Sequence, residues 1–219
     1  YIDAGDCYQV NFAQRFSATY RGNPLGLYQA LRQTQRAPFS ACIRTPGADI
    51  LSFSPERLVR VADRQILTQP IKGTRPRHPD PSEDQRLAEE LQNSEKDRAE
   101  NLMIVDLLRN DLGKTAVPGS IAVDSLFELV TFANVHHLVS SVSGELRPDV
   151  SAMDLLRACF PGGSVTGAPK YRAMQIIAEL EPVKRQAYCG AIGYYSYHGN
   201  LDTNLPIRTI ICTNNKLHY

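Results

Sequence analysis

The sequence predicts an α+β fold in which antiparallel strands alternate with a few helices. Three kinds of observation carry that prediction: runs with apolar residues at every second position, turn pairs set between such runs, and capping residues ahead of helically spaced stretches. Residues 7–19 alternate, with Tyr8, Val10 and Phe12 on one side and Gln9, Asn11 and Ala13 on the other. Asn23 followed by Pro24 reads as an N-cap with proline at the first helical position, opening a helix to about Gln35. Residues 38–45 and 49–53 form a hairpin around Pro46-Gly47, and a second pair of strands spans 57–62 and 65–71. Helices follow at about 82–92 and 95–111, the second opened by Ser94 with Asp97 in the capping-box place. Residues 120–143 are mostly strand-like, and Ser151 with Asp154 opens a short helix to Phe160. A loop carrying Gly162, Gly163 and Gly167 leads into a helix from Pro169 to Glu181, stopped by Pro182. Residues 187–219 return to strands, the last two joined by an Asn214-Asn215 turn.

With 219 residues the chain can bury a real core, as one large domain or as a piece of a bigger one. Hydrophobic residues at 42% and charged residues at 21% give an ordinary globular balance. A net charge of +1 supplies no field for nucleic acid or a membrane surface, and no apolar run reaches the length of a membrane-spanning helix. The five cysteines (Cys7, Cys42, Cys159, Cys189, Cys212) are scattered and odd in number, and no two form a Cys-x-x-Cys pair. That spacing argues against zinc or a disulfide framework and for a reduced, cytoplasmic setting.

Several residues carry chemistry. The segment Gln69-Pro70-Ile71-Lys72-Gly73-Thr74-Arg75-Pro76-Arg77 sets a lysine between a β-like run and a Gly-Thr turn. An ordinary lysine is a poor nucleophile at neutral pH; burial, or cations such as Arg75 and Arg77, would push Lys72 towards the neutral amine. A solvated lysine in a basic turn is the alternative. Glu100 shares a helical face with Ile104, Leu107 and Leu108, with Asp111 three turns on, in a helix apolar nearly all round and therefore expected to be buried. A carboxylate there must be paired or metal-bound, and Arg98 and Arg109 lie on the far side of the helix. Glu56 follows Ser54-Pro55 and reads locally as a helix-start glutamate. Gln9 lies on the polar face of its strand, where most glutamines are solvated or bridge strands. Of His136 and His137, adjacent in a strand, only one can face a site. Gly162 and Gly167 are spaced as in a nucleotide-binding loop, but Ala168-Pro169 replace the required Lys-Ser/Thr, which excludes that site. The glycines instead suit backbone N–H groups and a helix start meeting a carboxylate.

Taken in order, these segments join other motifs: Cys7-Tyr8-Gln9-Val10-Asn11, Ser54-Pro55-Glu56-Arg57, Asp97-Arg98-Ala99-Glu100-Asn101-Leu102-Met103, and Leu108-Arg109-Asn110-Asp111-Leu112. Val135-His136-His137, the run from Gly162 to Lys170, and the run from Tyr188 to Tyr194 complete the set. Over essentially the whole chain this resembles the chorismate-utilising enzyme family. Pro70-Ile71-Lys72-Gly73-Thr74 resembles its aminodeoxychorismate synthase component I branch, whereas anthranilate synthases usually have alanine at the place of Lys72.

The resemblance implies antiparallel β-sheets packed face to face with helices outside and a site between the sheets. It implies that residues 1–219 are a partial chorismate-binding catalytic domain, lacking an N-terminal half and a C-terminal end. The implied reaction is amination of chorismate to 4-amino-4-deoxychorismate in para-aminobenzoate and folate biosynthesis, with ammonia from a glutamine amidotransferase subunit. Lys72 would be the covalent nucleophile, Glu56 the general acid and then base, and His137 the active-site histidine. Gln9, in place of the lysine base of water-using relatives, would go with ammonia as nucleophile. Thr74, Ser164, Tyr188, Gly190 and Arg208 would contact substrate, Arg208 by a bidentate fork on a carboxylate. Glu100 would ligate Mg²⁺, a second family glutamate lying beyond this sequence. Pro206, in the run leading to Arg208, is expected at a strand edge or bulge.

Overall fold

The computed structural model describes residues 1–219. The chain runs β1 (Gln9–Val10), β2 (Ser17–Thr19), α1 (Pro24–Gln35), β3 (Phe39–Arg44), β4 (Asp49–Ser54), β5 (Arg57–Ala62), β6 (Gln65–Gln69) and β7 (Ile71–Pro76). Then come α2 (Pro81–Asn93), α3 (Glu95–Gly113), β8 (Ala122–Thr131), β9 (Val135–Glu145), α4 (Ala152–Cys159), α5 (Gly163–Thr166), β10 (Gly167–Ala168) and α6 (Lys170–Leu180). Four strands close the chain: β11 (Ile192–Tyr195), β12 (Leu201–Asn204), β13 (Thr209–Thr213) and β14 (Lys216–His218). The predicted caps form. Asn23 Oδ1 accepts the Leu25 N–H at 3.0 Å, Ser94 Oγ accepts the Asp97 N–H at 3.3 Å, and Ser151 and Asp154 make a reciprocal capping box.

All strand pairs are antiparallel, and the α+β class with helices on antiparallel sheets holds. A seven-stranded sheet follows the path β11-β12-β5-β6-β9-β7, with β8 on the other edge of β9; a five-stranded sheet follows β2-β14-β13-β4-β3. β6 and β7 lie end to end along one edge of β9, so the run expected over 65–71 is two strands broken at Pro70. Proline has no N–H for the ladder, but its carbonyl accepts the Ser140 N–H at 3.2 Å and carries the pairing across the break.

The strand expected over 7–19 shrinks to Gln9–Val10, which pairs with β10, and to Ser17–Thr19. Its sides are also inverted: Tyr8 and Phe12 face solvent while Gln9 and Asn11 are partly buried. The alternation was present, but the polar side is the one turned inward.

Two sheets share one bent ribbon. β4 and β13 pair in the five-stranded sheet, and their continuations β5 and β12 pair in the seven-stranded one. Ser54-Pro55-Glu56 and Leu205–Arg208 form the corner, tied by Leu205 N–H to Glu56 O at 3.0 Å and Phe53 N–H to Arg208 O at 3.1 Å. Pro206 sits in this corner and not in a strand. On one side of the corner, fourteen buried residues form a core in which β5, β6, β9 and β12 meet α3 and α4. On the other, Leu51, Phe53 and Cys212 pack against Leu27, Tyr28 and Leu31 of α1. Both cores are apolar burial of the ordinary kind. The polar groups that cannot be explained this way collect at the corner between them.

Candidate active site

Glu56 is at the corner of the ribbon and caps no helix, so the helix-start reading fails. The Ser54 hydroxyl instead accepts the Glu56 N–H at 3.2 Å and donates to the Leu205 carbonyl, closing the turn from within. Arg57, next in the motif, forks onto Asp202 of β12 through Nε and Nη2 at 3.0 and 3.2 Å and lies over the Phe39 ring. Both neighbours of Glu56 in the motif are thus structural brackets, and the glutamate between them points inward. It is 5% exposed and accepts from the Ser164 hydroxyl at 2.7 Å and from the Ile71 N–H at 3.4 Å. Burial pushes its carboxyl up to about 7, against the opposing effects of Ser164, the Ile71 N–H and the positive charge of Lys72.

Lys72 stands on β7, whose pairing with β9 slips between Ile71 and Thr74. Gly73 makes that irregularity possible: its φ is +93°, and a Cβ there would lie 3.0 Å from both Asp97 Cβ and Leu91 Cδ1. The Lys72 side chain is partly buried, with Nζ 3.5 Å from Asn11 Oδ1. Arg75 and Arg77 do not serve as the neighbouring cations expected from the sequence. Arg75 bonds Glu90 at 2.8 Å and Asp97 at 3.3 Å, and Arg77 bonds Asp84 at 2.8 Å. Their charges are spent on α2 and α3, which clamp the strand.

The two histidines separate cleanly. His136 is buried but satisfied, with Nδ1 2.9 Å from the Thr131 hydroxyl and Nε2 3.1 Å from Asp84. His137 faces the other way. Its Nδ1 is 2.9 Å from the Thr74 hydroxyl, while its buried Nε2 has no partner. Burial holds His137 down to about 4, with the nearby charge of Arg208 acting in the same direction, so the ring is neutral at physiological pH. Arg208 has φ of 51° and no acidic partner, and burial lowers its pKa. Together with Tyr188 it lines a cavity of about 270 Å³. Burial raises the Tyr188 hydroxyl to about 12, leaving it a neutral donor. Glu181 also lines this cavity but is paired with Arg185, while Glu56, Lys72, Thr74, His137 and Ser164 do not line it; the Arg208 guanidinium, left without a carboxylate partner, suits a carboxylate ligand.

Gln9 and Asn11 share the site. Gln9 Nε2 is 3.4 Å from Asn11 Oδ1, and both Gln9 Oε1 and Asn11 Nδ2 are buried without partners. These two atoms and His137 Nε2 are the buried side-chain polar atoms that lack a hydrogen bond in the whole chain. Gly190 falls outside this grouping. It closes the Tyr188 turn through its N–H to Ala187 O at 3.1 Å and lines a separate hollow with Phe160, Ala191 and Ile192.

Glu100 is not buried on an apolar stripe as expected. α3 has one buried face, formed by Asn101, Ile104, Val105, Leu108, Asp111 and Leu112, while Leu102 is 51% exposed on the other. Glu100 lies at the border, its side chain 33% exposed and 4.0 Å from Lys96 Nζ. Its helix face touches the site at both ends: Asp97 packs on Gly73 beside Lys72, and Leu107 on Gly163 beside Ser164. No three His, Cys, Asp or Glu side chains gather in this chain as a metal cluster. Magnesium keeps several waters and needs one or two carboxylates together with substrate oxygens, so Glu100, whose ionic partner is the exposed Lys96 at 4.0 Å, fits as one such carboxylate.

Residues 1–219 match the family described as chorismate binding enzyme over their full length. The chain belongs to that family. It is 56% identical over 217 residues to aminodeoxychorismate synthase component 1 of Escherichia coli K12, covering 99% of this chain and 48% of that protein. It is 48% identical over 217 residues to anthranilate synthase component 1 of Synechocystis, covering 96% of this chain and 42% of that one. The solved structure of anthranilate synthase component I from Streptococcus pneumoniae superposes with a TM-score of 0.90 at 41% identity, covering 99% of this chain and 48% of that one. The chain therefore spans about half the length of the relatives it matches.

Two site residues escaped the sequence. Asn11 closes the Cys7-Tyr8-Gln9-Val10-Asn11 motif and shares a strand face with Gln9, but nothing in the sequence gave it a role. Arg185 carried no signal at all: it pairs with Glu181 and donates to the carbonyls of Val165 and Asn11, both at 2.7 Å, fastening the Ser164 turn to the Gln9 segment.

Proposed function

We propose that this chain carries the chorismate-amination centre of an aminodeoxychorismate synthase component 1. The observation that supports this most is Glu56, a carboxyl buried at the corner with only the Ser164 hydroxyl and the distant Ile71 N–H as donors, whose burial pushes it up to about 7. It feels the charge of Lys72, the motif residue by which this chain resembles aminodeoxychorismate synthases and differs from anthranilate synthases, which usually have alanine there. In this reading chorismate presents carboxylates to Arg208 and Tyr188. After its ammonium proton has passed to solvent, the Lys72 amine attacks ring C2, the ring double bonds shift, and the C4–O bond breaks as Glu56 gives its proton to the departing hydroxyl, which leaves as water. Ammonia adds at C4 as the C2–N bond to Lys72 breaks, and the Glu56 carboxylate takes the surplus ammonium proton. Both side chains are thereby restored, and 4-amino-4-deoxychorismate is released. Neutral His137, held by Thr74, offers Nε2 to the substrate. Glu100 would hold Mg²⁺, which when bound would neutralise a substrate carboxylate. A glutamine amidotransferase subunit would deliver the ammonia, in a cytoplasmic setting that agrees with five unpaired cysteines.

The test uses the full chain with chorismate, Mg²⁺ and ammonium, the product being identified by mass. The expected product is 4-amino-4-deoxychorismate, and chorismate without ammonia should leave an adduct on the Lys72 peptide. Anthranilate as product, or wild-type turnover in Lys72→Ala, would overturn the reading.

A further inference from the structure

We infer that Asn11 is a positioning residue for the Lys72 amine, an inference that rests on the amination reading and extends it. The Asn11 backbone is fixed on both sides. Its N–H donates to Thr166 O at 2.9 Å, and its carbonyl accepts from Arg185 Nη2 at 2.7 Å. Arg185 is itself held by a partly buried ion pair with Glu181, so the Asn11 side chain projects from a braced segment. Its Oδ1 meets two donors at the outer limit of hydrogen bonding, Lys72 Nζ at 3.5 Å and Gln9 Nε2 at 3.4 Å. The opposite halves of both amides, Asn11 Nδ2 and Gln9 Oε1, are buried and unpaired. Buried amide groups without a partner are rare enough that two of them beside a lysine call for a functional explanation.

The choice of an amide has a chemical logic. A carboxylate at position 11 would attract the amine more strongly, but it would favour the ammonium form, which cannot attack carbon. An alkyl side chain would leave the amine without a partner to aim it. A neutral amide oxygen orients the amine towards the Glu56 side of the corner without fixing a proton on it.

The experiment measures the rate of adduct formation on Lys72 in the full chain, with chorismate and no ammonia, across pH. Asn11→Ala is expected to slow the adduct about tenfold, as misplacement of a reacting group does, with chorismate KM little changed. Asn11→Asp should move the ascending limb of the pH–rate profile about one pH unit towards alkali and recover most of its rate there. A merely structural asparagine would leave a folded Asn11→Ala with the wild-type rate of adduct formation. If Asn11→Ala fails to fold, the isosteric Asn11→Asp carries the test, with thermal unfolding as the check on its fold. A wild-type adduct together with an unshifted Asn11→Asp profile overturns the role of Asn11 alone. Absence of an adduct in the wild type overturns the amination reading and this inference with it.

Discussion

Two buried carboxylates, each within a family motif, meet very different fates in this chain. Asp111 on α3 is 1% exposed and fully employed: Lys170 bonds one oxygen, Lys114 bonds the other at 2.9 Å, and Lys170 goes on to the Cys159 carbonyl at 3.0 Å. Glu56 is equally hidden, yet its donors are one hydroxyl and one distant N–H, and no salt bridge neutralises it. The Asp111 cluster joins α3, α4 and α6 and explains why the glycine loop ends in Ala168-Pro169-Lys170: that lysine is an internal tie and not a phosphate hook. The same contrast recurs within one dipeptide, where His136 is saturated by Thr131 and Asp84 while His137 keeps a free nitrogen. Burial alone does not mark function in this fold. Burial combined with unused hydrogen-bonding capacity is what sets apart the residues proposed for the chemistry.

The sharpest way to break this comparison is Glu56→Gln. The variant keeps the shape of the corner and can still accept from Ser164, but it has no proton to give. Amination should fall by about 10²–10⁴-fold, the usual contribution of a positioned acid–base group, while urea unfolding at pH 8 shows no loss of stability. A variant that is destabilised but active would place Glu56 in the same class as Asp111.

Asp111→Ala tests the other side. Removing it strands Lys170, whose side chain is 13% exposed, and breaking a buried pair from one end costs about 3–5 kcal/mol. Lys114 is half exposed and simply turns to solvent. The expected outcome is a large drop in the urea midpoint at an unchanged m-value, with little change in kcat below the unfolding transition. Full stability with lost turnover would mean that the cluster belongs to the chemistry.

What the sequence revealed follows the range of the forces involved. Caps at Asn23, Ser94 and Ser151 and the Asn214-Asn215 turn are settled within a few residues, and each formed where expected. The corner is not local. Ser54-Pro55-Glu56 has the composition of a helix start, and only pairing with β12 and β13 makes it a bend between two sheets. Glu100 was misjudged for a related reason. Leu102 and Met103 make α3 apolar on several sides, and nothing in the helix itself says which side docks. Arg75 and Arg77 looked like cations for Lys72 because they are near it in sequence, whereas α2 and α3 bring Glu90, Asp84 and Asp97 to them. Residues of the right type were legible from motifs; their partners, which decide function against structure, depended on long-range packing.

The smallest effect lies in the pH dependence of stability, where Glu56 and His137 oppose each other. Glu56 rises from 4.5 to about 7 in the fold, so between those values the native state holds a proton that the unfolded chain has lost. Stability from this group is therefore highest below about pH 4.5 and falls as pH rises through 7, by about 3 kcal/mol in all. His137 drops from 6.5 to about 4, so between those values the unfolded chain holds a proton that the native state lacks. Stability from this group rises with pH through that window by a similar amount, about 3 kcal/mol. From pH 4.5 to 6.5 the two slopes cancel in the wild type. Glu56→Gln should expose the rising His137 slope, and His137→Gln the falling Glu56 slope, each read as urea stability relative to wild type at the ends of that range. Other titrating groups are common to all three proteins and drop out of the differences. Variants whose stability tracks the wild type at both pH values would show that neither group is held neutral by the site, and the distinction between the unsatisfied corner and the saturated Asp111 cluster would lose its electrostatic basis.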